Sequence, residues 1–217
     1  MRRLRFLLLA FALTSLACAH EGHHEKGVHH RFDKAEDWAK IFDDPARDAW
    51  QKPHEVIQAL KLAPDAAVAD IGAGTGYFAV RLAHMTPKGR VYAVDIEPDM
   101  VKYLGERAQK SGLANLTPVL ATANDAKLPA KVDLALLVDV YHHIGDREAY
   151  FRKLAGSLKP GGTVAIIDFG ADSPIGPPKE SRIAAKVVRA EMERAGYVQA
   201  REHGFLPHQY FLVFRPR

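Results

Sequence analysis

Val68-Ala69-Asp70-Ile71-Gly72-Ala73-Gly74-Thr75-Gly76, running straight into Tyr77-Phe78-Ala79-Val80-Arg81-Leu82, decides the fold. The run reads as a short buried strand, a glycine turn and an amphipathic helix. Glycines at alternate positions let the backbone turn tightly and approach a ligand that a Cβ would exclude. The helix behind the turn presents unpaired N–H groups at its start. The spacing also excludes. Dinucleotide folds use G-x-G-x-x-G, whereas the third glycine here comes one residue early. No Gly-Lys-Ser/Thr follows, which removes the P-loop.

Outward from this point, strands and helices alternate, the pattern of a parallel sheet covered on both faces. The expected strands are Ala67–Ile71, Arg90–Asp95, Leu116–Leu120, Val132–Val138 and Thr163–Asp168, with Val198–His203 and Tyr210–Phe214 pairing as a hairpin at one edge. The expected helices lie near Tyr77–His84, Asp99–Ser111, Arg147–Leu158 and Ser181–Ala195. Ligands on such sheets bind at the carboxyl ends of the strands, where strand order reverses.

The chemistry-bearing residues fall at those ends. Asp95 closes the second strand, 23 residues after Gly72, where a carboxylate can accept from both hydroxyls of a ribose. Ile96 follows it as a surface for a base. Asn124-Asp125-Ala126 follows the third strand. Asp139-Val140-Tyr141-His142-His143-Ile144 follows the fourth, and Leu158-Lys159-Pro160-Gly161-Gly162 supplies a tight turn into the fifth.

The glycine spacing with Asp70 two positions ahead, Asp95, Asn124-Asp125, the paired histidines after the fourth strand and the Pro-Gly-Gly turn together resemble class I S-adenosylmethionine methyltransferases of the small-molecule type. The resemblance covers about Asp33 to Phe214. It implies a Rossmann-like doubly wound α/β fold, seven strands with the last antiparallel, preceded by N-terminal helices. It implies S-adenosylmethionine as cofactor and methyl transfer to a small-molecule or lipid acceptor. The cofactor residues carried over are Asp70, Gly72, Ala73, Gly74, Gly76, Asp95, Ile96, Asn124, Asp125 and Asp139, with Asp125 on the adenine edge and Asp70 at the methionine end. Paired prolines after the fourth strand are absent, which disfavours methylation of DNA adenine or protein amides. Asp139, Tyr141, His142 and His143 are the catalytic candidates, since a histidine or carboxylate near the methyl can take the acceptor's proton. One histidine is expected to face the pocket while the other packs. A paired-histidine metal site lacks a third ligand, so no metal is expected.

Ahead of this domain (residues 63–217), residues 33–62 read as a helical cap. Trp38, Ile41 and Phe42 form an apolar cluster at helical spacing, Asp43-Asp44-Pro45 interrupts it, and Trp50, Val56, Ile57 and Leu60 carry an apolar face onward. Asp44, Arg47, Trp50 and Gln51 are the acceptor-binding candidates.

Residues 20–32 hold His20, His23, His24, His29 and His30 in a polar tether. Residues 1–19 read as an export signal: Arg2, Arg3 and Arg5, an apolar run from Phe6 to Leu13, and a small-residue end. Either cleavage follows Ala19, or Leu16-Ala17-Cys18 is a lipoprotein box in which the chain's only cysteine is lipidated. The expected location is the periplasm or a membrane anchor, the alternative being the cytoplasmic face of the membrane. The three arginines account for most of the excess of 30 basic over 26 acidic residues, so charge gives no support to a nucleic-acid partner. Two competing readings share these residues: a non-catalytic binder of the same cofactor or its demethylated product, and a histidine-rich metal-binding envelope protein on the same fold.

Overall fold

The computed structural model describes residues 34–217, so the export signal and histidine tract lie outside the described residues. The cap comprises α1 (Ala35–Phe42), a short 3-10 turn at Pro45–Arg47, α2 (Asp48–Gln51) and α3 (Pro53–Leu60). The domain then alternates: β1 (Ala67–Ile71), α4 (Tyr77–Met85), β2 (Arg90–Asp95), α5 (Pro98–Lys110), β3 (Leu116–Leu120), β4 (Val132–Val138), α6 (Arg147–Leu154), β5 (Leu158–Phe169), α7 (Ala185–Arg194), β6 (Tyr197–His203) and β7 (Gln209–Pro216). The helix boundaries follow local chemistry. Pro98 opens α5 with Asp99 in its first turn, and Arg107 and Lys110 close it, all in the sense the helix dipole favours. The Asp146 carboxylate accepts from the Ala149 N–H and caps α6.

One sheet carries the order β3-β2-β1-β4-β5-β7-β6. β1 pairs in parallel with both β2 and β4, so strand order reverses between β1 and β4. β7 inserts antiparallel between β5 and β6, which makes β6 and β7 the expected edge hairpin. Alternation sorts the strands' side chains onto two faces. Val68, Leu134, Leu136, Ala165 and Val213 meet α3, α4 and α5 on one side. Ala69, Ala135, Leu137, Val164 and Phe214 meet α6 and α7 on the other. Burial on both faces explains the nearly continuous apolar strands.

Three expectations change. The Pro-Gly-Gly turn is a bulge inside β5: Val132 faces Leu158 while Leu134 already faces Thr163. The helix expected from Ser181 starts at Ala185, because Arg182 spends its guanidinium on the carbonyls of Pro177, Ala171, Ser173 and Ile175 and ties its segment to the preceding loop. Ile41 does not join Trp38 and Phe42; it is 62% exposed on the outer side of α1.

Tyr141 also leaves its expected place. It is fully buried beneath the sheet, stacked on Phe151 at 5.4 Å, with its hydroxyl donating to Glu191, which Arg147 holds at 2.7 Å. Phe151 is the hub of that cluster, touching Tyr150 and Tyr197 edge-on. Truncating Phe151 to Ala should therefore lower unfolding free energy by about 3–5 kcal/mol. Ile41→Ser should stay within about 0.5 kcal/mol of the parent. Urea denaturation measures both, and equal effects would contradict the placement of the core.

Candidate active site

The carboxyl ends of β1, β2, β4 and β5 open into one cavity of about 800 Å³, roofed by the cap helices. Its floor is the glycine turn after β1. Gly72 adopts φ +71°, and a Cβ there would meet Val140 Cγ2 at 2.3 Å, so both backbone conformation and space demand glycine. The Gly72 and Ala73 N–H groups donate to the Val94 carbonyl at 2.8 and 2.9 Å, pinning the turn to β2.

Four acids stand along this edge. Asp95 is buried, with one oxygen accepting from the Gly74 N–H at 2.8 Å and the other from the Glu97 N–H at 3.0 Å. Burial raises its pKa against those bonds. A carboxylate offers about four acceptor sites, so these bonds leave it able to accept more. Asp70 is 3% exposed, and its Oδ2 has no hydrogen-bond partner among the described residues. Burial, with the Asp95 charge adding to it, pushes Asp70 up to about 7 against a favourable backbone hydrogen bond. A buried carboxylate oxygen without a donor leaves its desolvation cost uncompensated.

Asp139 follows β4 in the left-handed region, φ 60°, which turns the chain out of the sheet and its carboxylate into the cavity. The Gln209 amide donates to one oxygen, Gln51 donates to the other at 3.3 Å, and the Arg47 guanidinium lies 3.6 Å from it. Burial first, then the Asp168 charge, raise Asp139 to about 7, opposed by Arg47, Gln51 and His142.

Asp168, near the end of β5, is 1% exposed and takes the His142 Nδ1 at 2.9–3.0 Å. A carboxylate can only accept here, so the ring hydrogen sits on Nδ1 and the Nε2 lone pair is left for other work. Burial opposes protonation of His142, but the hydrogen bond and charge of Asp168, with Asp139 beyond, outweigh it and raise the pKa. The His143 ring lies 4.1 Å from that of His142.

Most expected cofactor positions line this cavity: Asp70, Gly72, Ala73, Gly74, Asp95, Ile96 and Asp139. Others do not. Gly76 starts α4 behind the lining. Asn124 and Asp125 stand beside the cavity, and Thr122 and Ala123 form the wall. The Asp125 carboxylate turns away to Lys153 at 2.9 Å and Lys127 at 3.2 Å, and Lys153 first, then the Lys127 N–H, hold its pKa down to about 2. Of the acceptor candidates, Arg47 and Trp50 reach the cavity. Asp44 instead caps the 3-10 turn through the Ala46 N–H, and Gln51 is fully buried behind Asp139 as its positioning donor. Both histidines line the cavity, not one, because the 3-10 turn at Tyr141–His143 sends Tyr141 inward and leaves both imidazoles outward. Sequence reading missed Asp168, Gln209 and the Phe169 wall; Asp168 alone had a signal, an acid closing a buried strand.

Residues 62–199 match a family model described as "Methyltransferase domain". The chain is 32% identical over 103 residues to a malonyl-[acyl-carrier protein] O-methyltransferase of Acetivibrio thermocellus, covering 48% of this chain and 35% of that one. It is 33% identical over 127 residues to a protein-L-isoaspartate O-methyltransferase of Aeropyrum pernix, covering 57% and 44%. The chain thus spans less than half the length of these curated relatives. Among solved structures, a SAM dependent methyltransferase from Aquifex aeolicus superposes with a TM-score of 0.77 at 28% identity, covering 85% of this chain and 98% of that one.

Asp70 generates a stability prediction. Its folded pKa of about 7 exceeds the ordinary 3.8, so its contribution is fully present below about pH 4 and lost as pH rises through 7. In Asp70→Asn that loss is absent. Between pH 4 and 7 the ligand-free variant should gain on the parent by on the order of 2–4 kcal/mol in urea titrations. A constant difference across that range would contradict the buried, unpaired state of Asp70.

Proposed function

This chain belongs to the methyltransferase-domain family, and we propose that it binds S-adenosylmethionine and transfers a methyl group to a small-molecule acceptor. The observation that carries the reading is the joint placement of the glycine turn, the partnerless Asp70 oxygen and Asp95 along one edge of the cavity.

S-adenosylmethionine, when bound, supplies an electrophilic methyl group on a sulfonium. Asp70 would take its ammonium, which both completes the buried oxygen and draws Asp70 into its ionised form. Asp95 would take the ribose hydroxyls, and Ile96, exposed at 45%, would cover the base. The cap contributes Trp38 and Phe42, stacked at 5.4 Å, as apolar cover that keeps water from the reacting centre. His142, oriented by Asp168, would remove the acceptor's proton through Nε2. Arg47, Gln51 and Gln209 fix the Asp139 carboxylate, the remaining acid on the acceptor side.

For the N-terminal segment we propose export and either cleavage after Ala19 or lipidation at Cys18, which would place the acceptor, a small molecule or a lipid, at the cell envelope. Mass spectrometry of the native protein should find a chain starting at Cys18 with lipid, or at His20. An intact Met1 terminus would refute it.

Calorimetry with S-adenosylhomocysteine tests the cofactor reading. Binding should weaken by about 1.5–3 kcal/mol in Asp95→Ala, the value of hydrogen bonds to a charged group. Unchanged affinity would overturn the assignment, and transfer of labelled methyl distinguishes an enzyme from a binder. Because Asp168 raises the His142 pKa above the usual 6.5, the pH–rate profile should rise through a limb lying above that value. His142→Gln should abolish the limb; a parent profile flat across pH 6–9 would exclude His142 as the base.

A further inference from the structure

We propose that the chain carries a second binding site, at the opposite end of the sheet from the cavity, which takes a phosphate monoester. The site is separate from the cofactor cavity and does not depend on the functional reading above.

Its position follows from the sheet's topology. Lys131 stands immediately before β4, Lys159 at the start of β5, and Arg215 and Arg217 at the far end of β7. β4 and β5 run in parallel, whereas β7 runs antiparallel to β5. The starts of two strands and the end of a third therefore converge. All four cations line one pocket of about 400 Å³, together with Gly161 and Gly162.

The backbone in this pocket is open. The β4–β5 ladder passes from Val132 opposite Leu158 directly to Leu134 opposite Thr163, so Lys159 to Gly162 bow out of the pairing. Gly161 holds φ +79°, and a Cβ added to it would meet no atom within 4 Å. A ligand can therefore come close to the main chain of the bulge.

The charges select the ligand. Lys159 gives its ammonium to Asp133 at 2.7 Å, and Arg217 gives its guanidinium to Glu193 at 2.7 Å. Lys131 and Arg215 have no such partner among the described residues. Two unmatched positive charges thus share one concavity, and clefts of one sign concentrate counter-ions. The Arg215 fork suits two phosphate oxygens, while the Lys131 ammonium adds a point charge. A phosphate monoester has a second pKa of about 6 and carries close to two negative charges at neutral pH. That matches the two unpaired cations, whereas a phosphate diester brings a single charge. A soluble ester and the headgroup of a phosphatidic acid present this same group.

The test titrates the intact protein with glycerol phosphate, read by calorimetry and by backbone amide shifts. The shifts should move at Gly161 and Gly162 and stay fixed at Gly72 and Gly74. Going from pH 5.5 to 7.5 should tighten binding about fourfold, the change in the probe's dianion fraction. Arg215→Gln should weaken binding about tenfold and Lys131→Gln about fivefold, each with an unchanged melting transition and unchanged affinity for S-adenosylhomocysteine. Phosphatidylcholine vesicles doped with phosphatidic acid then identify the source. Sedimentation with them that is lost in both variants assigns a lipid headgroup, and sedimentation that the variants keep, or none, assigns a soluble ester. The proposal would be overturned by no heat and no shifts up to about 10 mM probe, by shifts centred on the cavity, or by variants that bind the probe as well as the parent. Variant-sensitive sedimentation that is equally strong with phosphatidylglycerol, a diester, would overturn it too.

Discussion

Four carboxylates buried along one edge of a parallel sheet are the constraint to which the rest of the structure answers. Asp70, Asp95, Asp139 and Asp168 stand at or just beyond the ends of β1, β2, β4 and β5. Taking such groups out of water is costly unless each charge is paired, hydrogen-bonded or neutralised. The fold treats each acid differently. Asp95 receives two backbone N–H groups, Asp168 an imidazole, and Asp139 two amides and a nearby guanidinium. Only at Asp70 is an oxygen left over. The protein thus supplies donors for three of these buried acids and leaves one oxygen of the fourth without one.

The donors for Asp139 come from opposite ends of the chain, Gln51 and Arg47 from the cap and Gln209 from the start of β7. Gln51 also donates to Gln209 at 3.1 Å, so the cap, the edge hairpin and the end of β4 meet in one hydrogen-bonded node. The antiparallel insertion of β7 beside β5 makes this possible, because it brings Gln209 opposite Phe169 at the cavity edge. Topology and site chemistry are therefore one requirement. A strand added in parallel at that position would bring its carboxyl end, not its first residue, to the cavity.

What could be read in advance divides along the same line. The first four strands and the glycine turn were legible to the residue, because two-faced burial writes itself into consecutive apolar side chains and a positive φ writes itself as glycine. Asp70, Asp95 and Asp139 were legible because they close such runs. Residues whose roles depend on distant partners were not. Asp125 lay in the expected loop, yet Lys153, across the chain, claims its carboxylate. Asp44 looked like a pocket residue and is spent locally as a cap. Tyr141 and His142 are adjacent, and whether each faces cavity or core is set by a 3-10 turn that no apolar period announces. The helix expected from Ser181 failed for a similar reason: Arg182 binds carbonyls up to 11 residues back, a tertiary demand overriding local propensity.

The raised proton affinities of Asp70 and Asp139, both to about 7, are the energetic signature of this design. Without ligand, each acid can relieve its burial by taking up a proton near neutrality, so the cavity keeps its shape without solvating its charges. A cationic group arriving at Asp70 reverses that balance, since the interaction it offers exists only with the ionised form. At Asp139 the neighbouring Asp168 charge favours that proton further, while Arg47, Gln51 and His142 oppose it. The two halves of the cavity thus differ in kind. The Asp70 side lacks a protein donor for one of its oxygens, whereas the Asp139 side is surrounded by the protein's own donors. That division suits the methyl transfer proposed above, with a donor held by charge on one side and a group able to accept and return a proton on the other.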